Sequence, residues 1–212
     1  MKTDDLIRAL AADHAPRRTS PTRTLAVATV LGLVVAAALF AAILGVRPDF
    51  TTVMGEPRFV FKFLVTLVLA ATAFMLGRRL LGPLDADTSW WLTLAAAPLL
   101  LALAVAIELS VLPSGSWRAQ LIGSNALLCL ASVPLLALPI LIAVLAALRQ
   151  GAPVRPGLTG AVAGLLAGAL GAALYAAHCI DDSPLFVAAW YSAAIALVTL
   201  VGALAGYRVL RW

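Results

Sequence analysis

With 212 residues, 63% of them hydrophobic and 12% charged, and a mean hydropathy of +1.02, the chain lies far from a soluble globular domain, where about a quarter of residues are charged. A net charge of +5 would suit nucleic acid, but the basic residues are scattered among apolar runs and form no single patch, which argues against direct nucleic-acid binding. The composition is that of an all-α integral membrane protein, and its two cysteines, Cys129 and Cys179, make neither a disulfide scaffold nor a CxxC zinc site.

The chain opens on a polar segment, residues 1–24, ahead of the first apolar run. Thr3 suits a helix N-cap, Asp4 and Asp5 fall where the helix dipole favours anions, and Pro16 ends the pattern. Leu6, Ile7, Leu10 and Ala11 share one face, while Asp5, Arg8 and Ala12 point elsewhere. About three turns of such an amphipathic helix are marginal alone in water, so the segment needs a surface, either lipid headgroups or a partner's groove. Two aspartates against one arginine argue against anionic lipid, and Arg17, Arg18 and Arg23 suffice as the anchor beside the membrane.

A bilayer core of about 30 Å takes roughly 20 apolar residues as helix. Six runs meet that requirement: Leu25–Val46, Phe59–Leu76, Trp90–Leu112, Leu121–Leu148, Leu158–Ala177 and Leu185–Gly206, which together make residues 25–212 a six-helix transmembrane domain. The first run exceeds the roughly 7–15 residues of a signal-peptide core and reads as a retained span. In the second, Lys62 is expected to snorkel to the interface. The third carries Glu108 about a turn from its end, where interfacial solvation is the plain explanation. The fourth should begin its hydrocarbon part near Ala126, with Gly123, Ser124 and Asn125 as a turn, and be kinked by Pro134 and Pro139. Gly160, Gly164 and Gly168 on the fifth run, and Gly202 and Gly206 on the sixth, give small faces for close helix approach.

Six spans put both termini on one side. That side holds Lys2, Arg8, Arg17, Arg18, Arg23, Arg78, Arg79, Arg149, Arg155, Arg208 and Arg211, eleven of the fifteen cations, against Arg47, Arg58, Lys62 and Arg118 on the other. The positive-inside rule makes the termini cytoplasmic. The turn HCIDDSP, residues 178–184, then faces outward. Its Asp181 and Asp182 are expected to be solvated, Asp182 or Ser183 to cap the last helix, and Pro184 to open it. Trp190 and Tyr191 either join the interfacial aromatic belt or pack inward.

Cys129 falls in the first turns of the fourth span and Cys179 at the end of the fifth, at comparable depth near the outer surface. A disulfide requires Cα atoms within about 7 Å, and an oxidising compartment permits one. His178 beside Cys179 could instead lower a thiol pKa, or join Cys129, Cys179 and an aspartate around a soft metal. A polar hairpin cap with an incidental thiol, beside an ordinary buried Cys129, is the competing reading. No P-loop, GxSxG or HExxH is present, so no enzyme active site is visible.

The tail TDDLIRALAAD, the six spans, RQGAPVRPGLTGAVAGLLAGALGAALYAAHC with its Arg155-Pro156, and the pattern HCxxDSPxFxxxWY together resemble the NrsF ("negative regulator of sigma F") type of six-helix bacterial inner-membrane anti-sigma factor. The resemblance covers nearly the whole chain and is strongest from about Gly123 onward. It implies a protein that holds an extracytoplasmic-function sigma factor at the membrane through its N-terminal segment, here Thr3, Leu6, Ile7, Leu10, Ala11 and Asp13, and keeps it from RNA polymerase. It also implies release on oxidative or heavy-metal stress through two cysteines, matched here by Cys129 and Cys179, with His178, Asp181 and Asp182 completing the sensor. Beyond a transient heavy-metal ion no cofactor is implied. The implied partners are the sigma factor, the lipid bilayer and, as the alternative to a monomer, a second copy of the chain. Two rivals remain, a membrane thiol-redox protein, for which the CxxC pair is missing, and a small-molecule transporter, for which broken helices and intramembrane charges are too few.

Overall fold

The computed structural model describes residues 3–12, 20–81, 88–151 and 153–211, which are helical with short connections and contain no strand. A short helix, α1 (Thr3–Ala12), precedes six long ones: α2 (Pro21–Ile43), α3 (Pro57–Arg79), α4 (Thr93–Val111), α5 (Ala126–Leu148), α6 (Pro156–Ala176) and α7 (Pro184–Val209). Each of the six is long and apolar enough to cross a membrane.

Proline sets four of the starts. Pro21, Pro57, Pro156 and Pro184 occupy the first turn of α2, α3, α6 and α7, where the missing N–H would have had no partner anyway. This is why α2, α3, α6 and α7 begin a few residues before the apolar runs they carry. α2 also ends earlier than Val46: Gly45 turns to φ 69° and its N–H returns to the Phe40 carbonyl at 2.9 Å, closing the helix with a left-handed cap. The third run is divided, a short helix Thr88–Leu92 leading into α4, whose first residues, Thr93–Ala95, form a 3-10 turn. Leu121 likewise lies in a separate short helix, Trp117–Ile122; Gly123, at φ 59°, breaks the chain before α5, as the turn at 123–125 required. Pro134 and Pro139 both sit inside a continuous α5.

α6 is the centre of the bundle, packed on α3, α5 and α7; α2 lies mainly on α5, and α4 on α3. The α6–α7 contact is a glycine seam. A Cβ on Gly164 would stand 2.5 Å from the Val198 carbonyl oxygen, and one on Gly206 would stand 2.5 Å from Gly160 Cα, so the two backbones meet with no room for a side chain. Gly32 plays the same part between α2 and α5, where a Cβ would lie 2.7 Å from Ile140 Cα. On the outside, Val30, Leu31 and Val34 of α2 and Leu99, Leu103 and Ile107 of α4 are all more than half exposed, a larger apolar surface than a monomeric protein in water tolerates.

Candidate functional site

The polar chemistry collects where α2, α4 and α6 finish and α3, α5 and α7 begin. Its hub is the loop between α6 and α7, which carries His178, Cys179, Asp181, Asp182 and Ser183. That loop is bonded to all four other long helices or to the residues flanking them.

Toward α2, His178 Nδ1 lies 3.0 Å from the Gly45 carbonyl oxygen. A carbonyl only accepts, so Nδ1 carries the proton and Nε2 is the imidazole's remaining nitrogen. Arg47, two residues further on, donates its backbone N–H to the Ala177 carbonyl at 3.1 Å. Its guanidinium reaches Asp182 at 2.9 Å, the Cys179 carbonyl at 3.2 Å and Asp49 at 2.7 Å. Paired with Asp49 first and Asp182 next, the guanidinium is held still more firmly protonated than an ordinary arginine, and the Asp49 carboxyl is lowered by the same pair.

Toward α3, Lys62 is fully buried and does not snorkel. Its ammonium donates to Asp182 at 2.5 Å and to the Cys179 carbonyl at 2.7 Å, and stands 4.8 Å from the centre of the Phe59 ring. Removing a charge from water costs several kcal/mol unless paired and hydrogen-bonded, and these partners supply that compensation. Asp182 is therefore not the solvated turn residue expected from the sequence. It is the shared anion of two cations.

Toward α4, Glu108 is buried and accepts a 3.1 Å ion pair from Arg58 and a 3.3 Å hydrogen bond from the Ser183 hydroxyl. The expected interfacial solvation is replaced by pairing inside the protein. Ser183 also accepts from the Leu185 N–H, so Ser183, of the two candidates, caps α7. Toward α5, Asp181 receives the N–H of Ser124 at 3.2 Å and of Asn125 at 2.9 Å, and the Asn125 side-chain amide at 3.0 Å. A carboxylate thus sits on the N-terminus of α5, where the helix dipole favours it, and it too is engaged instead of being free in solvent. Gly123 makes room: any Cβ there would run into Phe186 and Asp181.

Beneath the loop lie the thiols. Cys129 and Cys179 are free, fully buried and members of one apolar cluster with Tyr175, Phe186, Val187 and Tyr191. Tyr191 has packed inward, from a π-helical turn, Val187–Tyr191, near the start of α7, while Trp190 donates its indole N–H to the Leu121 carbonyl at 2.9 Å. The Cys179 thiol faces the Asp181 carbonyl at 3.8 Å. Burial pushes its pKa up, partly opposed by its hydrogen bond to the Asp181 backbone and by the Lys62 charge, so at neutral pH it is a thiol and a poor nucleophile. Among the described residues no group of three or more His, Cys, Asp and Glu side chains is arranged to hold a metal ion.

The tail residues are set apart from this hub. Thr3 is the first residue inside α1 and is exposed, as is Ile7, at 58%. For Leu6, Leu10 and Ala11 the structure describes the helical backbone only, and Asp13 lies outside the described residues. Arg47, Arg58, Ser124 and Asn125 are the site residues that sequence reasoning missed. A signal was present: Arg47, Arg58 and Lys62 are cations on the side that should be poor in them, and a cation against that bias calls for a carboxylate at the same depth.

Fold and site together define a bundle of six span-length apolar helices whose buried charges and two thiols converge on one loop at one end. The chain belongs to the NrsF family, described as "Negative regulator of sigma F", which matches residues 10–212. It is 36% identical to the "Anti-sigma-F factor NrsF" of Caulobacter vibrioides (strain NA1000 / CB15N) and 34% identical to the "Probable anti-sigma-F factor NrsF" of Azospira oryzae (strain ATCC BAA-33 / DSM 13638 / PS), in each case over 100% of both chains. No solved structure matches it.

Proposed function

We propose that the protein is a membrane-bound anti-sigma factor with a regulatory, non-enzymatic role. The observation that carries this is the end-to-end match to two relatives named as anti-sigma-F factors. In the finer reading, the six helices span the bacterial inner membrane with both termini cytoplasmic, and the N-terminal segment holds an extracytoplasmic-function sigma factor through Thr3, Leu6, Ile7, Leu10, Ala11 and Asp13. The exposed apolar Ile7 supports a partner surface there. The orientation is supported by the Lys and Arg count, with eleven of the fifteen cations on the side of the termini.

In the same reading Cys129 and Cys179 sense oxidative or heavy-metal stress, with His178, Asp181 and Asp182 shaping their surroundings. Support comes from the burial of both thiols in one cluster, which makes their pairing or shared binding of a soft metal a local event. The test is co-purification from solubilised membranes of full-length protein and of a form lacking residues 2–20. A sigma factor should be retained by the full-length protein alone; retention by neither, with both folded, ends the anti-sigma reading. Cys129→Ser and Cys179→Ser should each keep basal repression and lose induction. Normal induction in both would leave repression standing and remove the sensor.

A further inference from the structure

The hub is tied unevenly to the bundle, and the unevenness singles out α2. This helix is a thinly held member: only Leu25, Gly32, Ala36 and Phe40 along it are buried, with Gly32 riding on the backbone at Pro139 and Ile140 of α5. Just past its last turn, however, three separate atoms grip the Cys179 loop. The Gly45 carbonyl takes His178 Nδ1–H, the Arg47 N–H binds the Ala177 carbonyl, and the Arg47 guanidinium binds both the Cys179 carbonyl and Asp182. Lys62 holds the same carbonyl and the same carboxylate from α3, and both cations flank the Phe59 ring. Cys129, in the first turn of α5, belongs to the helix on which α2 mainly rests. The other end of α2 is the end nearest in sequence to α1.

We propose that Arg47 and Lys62 are positioning residues for Cys179, and that Arg47 makes α2 the element through which the state of the two thiols reaches the N-terminal segment. The proposal rests on the reading of Cys129 and Cys179 as the switching pair. Bringing the Cys179 sulfur to a new partner displaces its own backbone carbonyl. Two buried cations then lose a shared acceptor in a medium where an unmet donor is costly. Coupling between distant sites needs an element with two discrete arrangements, and on this proposal the charge network is that element. Because Arg47 is rigidly forked, held on Asp49 by one edge and on Asp182 and the carbonyl by another, its displacement moves the end of α2 with it.

The test uses full-length protein in lipid nanodiscs, reduced or treated with the thiol oxidant diamide, which takes two electrons and two protons from the thiol pair as it becomes a disulfide. Mass spectrometry counts the remaining thiols, and hydrogen–deuterium exchange is followed in peptides covering residues 3–12 and 20–25. In the wild type, oxidation should change exchange there by about fivefold or more. In Arg47→Gln both thiols should still oxidise while exchange stays within about twofold of the reduced form. Arg47→Lys, which keeps the charge without the fork and serves in place of the glutamine variant should that one fail to fold, should lose at least half of the response. An equal response in wild type and Arg47→Lys overturns the proposal, as does a wild type whose thiols oxidise with no change in exchange. Sigma-factor retention on the same samples separates the two ideas. Release without an exchange response removes the α2 route and leaves the anti-sigma reading; an exchange response without retention does the reverse.

Discussion

The hub loop and the glycine seam hold the same two helices, α6 and α7, by opposite physics. Along the seam Gly160, Gly164, Gly202 and Gly206 let the backbones touch, and dispersion over a large matched surface does the rest, with nothing to titrate or to rearrange. At the hub, buried charge is compensated by specific partners: Asp182 by Lys62 and Arg47, Glu108 by Arg58 and Ser183, Asp181 by the amides before α5. A steric seam is either intact or broken. A network of paired charges can be redistributed, and the end of the bundle built that way is also the end that holds both thiols.

The largest effect should come from breaking the charge balance. Asp182→Asn leaves Lys62 buried without its anion and should destabilise the protein by roughly 3–5 kcal/mol, read as thermal unfolding in a mild detergent. Adding Lys62→Met to it should recover most of that loss, because an apolar side chain in place of the lysine removes the unmet charge. A double variant no more stable than the single would show that Lys62 was not paying a desolvation cost. Next comes the seam. Gly164→Val would drive its side chain against the Val198 carbonyl and Thr199 Cα, 2.5 and 2.8 Å from the first added carbon, and should cost about 3 kcal/mol, the upper part of the overpacking range. No second substitution at a flexible side chain should rescue it, since the obstacle is backbone. Rescue by a smaller Val198 would blur the distinction between the two regions.

A milder change sharpens the comparison within the hub. Asp181→Asn keeps the shape but removes the negative charge from the start of α5, and should cost about 1 kcal/mol. An effect as large as that of Asp182→Asn would mean that the two adjacent aspartates are equivalent, which their different partners contradict.

What the sequence carried and what it withheld follow the same division. The existence of the six helices, the turn at Gly123 and the glycine faces are written locally, in runs, prolines and four-residue spacing, and appear in the structure with shifted helix bounds, while the cap of α7, open between Asp182 and Ser183 in the sequence, is Ser183. Partners of buried charge are written nowhere locally: Lys62 meets Asp182 across 120 positions, and no period or cap signals that. A lone lysine near the start of an apolar run fits snorkelling as well as burial, and Glu108 near the end of another fits solvation as well as an ion pair. Only taken together do the four cations of the cation-poor side, Arg47, Arg58, Lys62 and Arg118, and the acids of the same side suggest mutual pairing.

The smallest expected change in stability falls at the residue least attached to either region. Ile7 is 58% exposed on α1, so Ile7→Glu should shift unfolding by no more than about 0.5 kcal/mol. The same substitution puts a carboxylate at the middle of the apolar face that would enter a partner's groove, and sigma-factor retention should fall to the level of the protein lacking residues 2–20. Dissociation of stability from retention is the point of the measurement. Asp182→Asn should move stability strongly whether or not a partner is present, whereas this one should move binding alone. Unchanged retention by Ile7→Glu would send the contact to the other faces of the tail or to the loops beside α3 and α5.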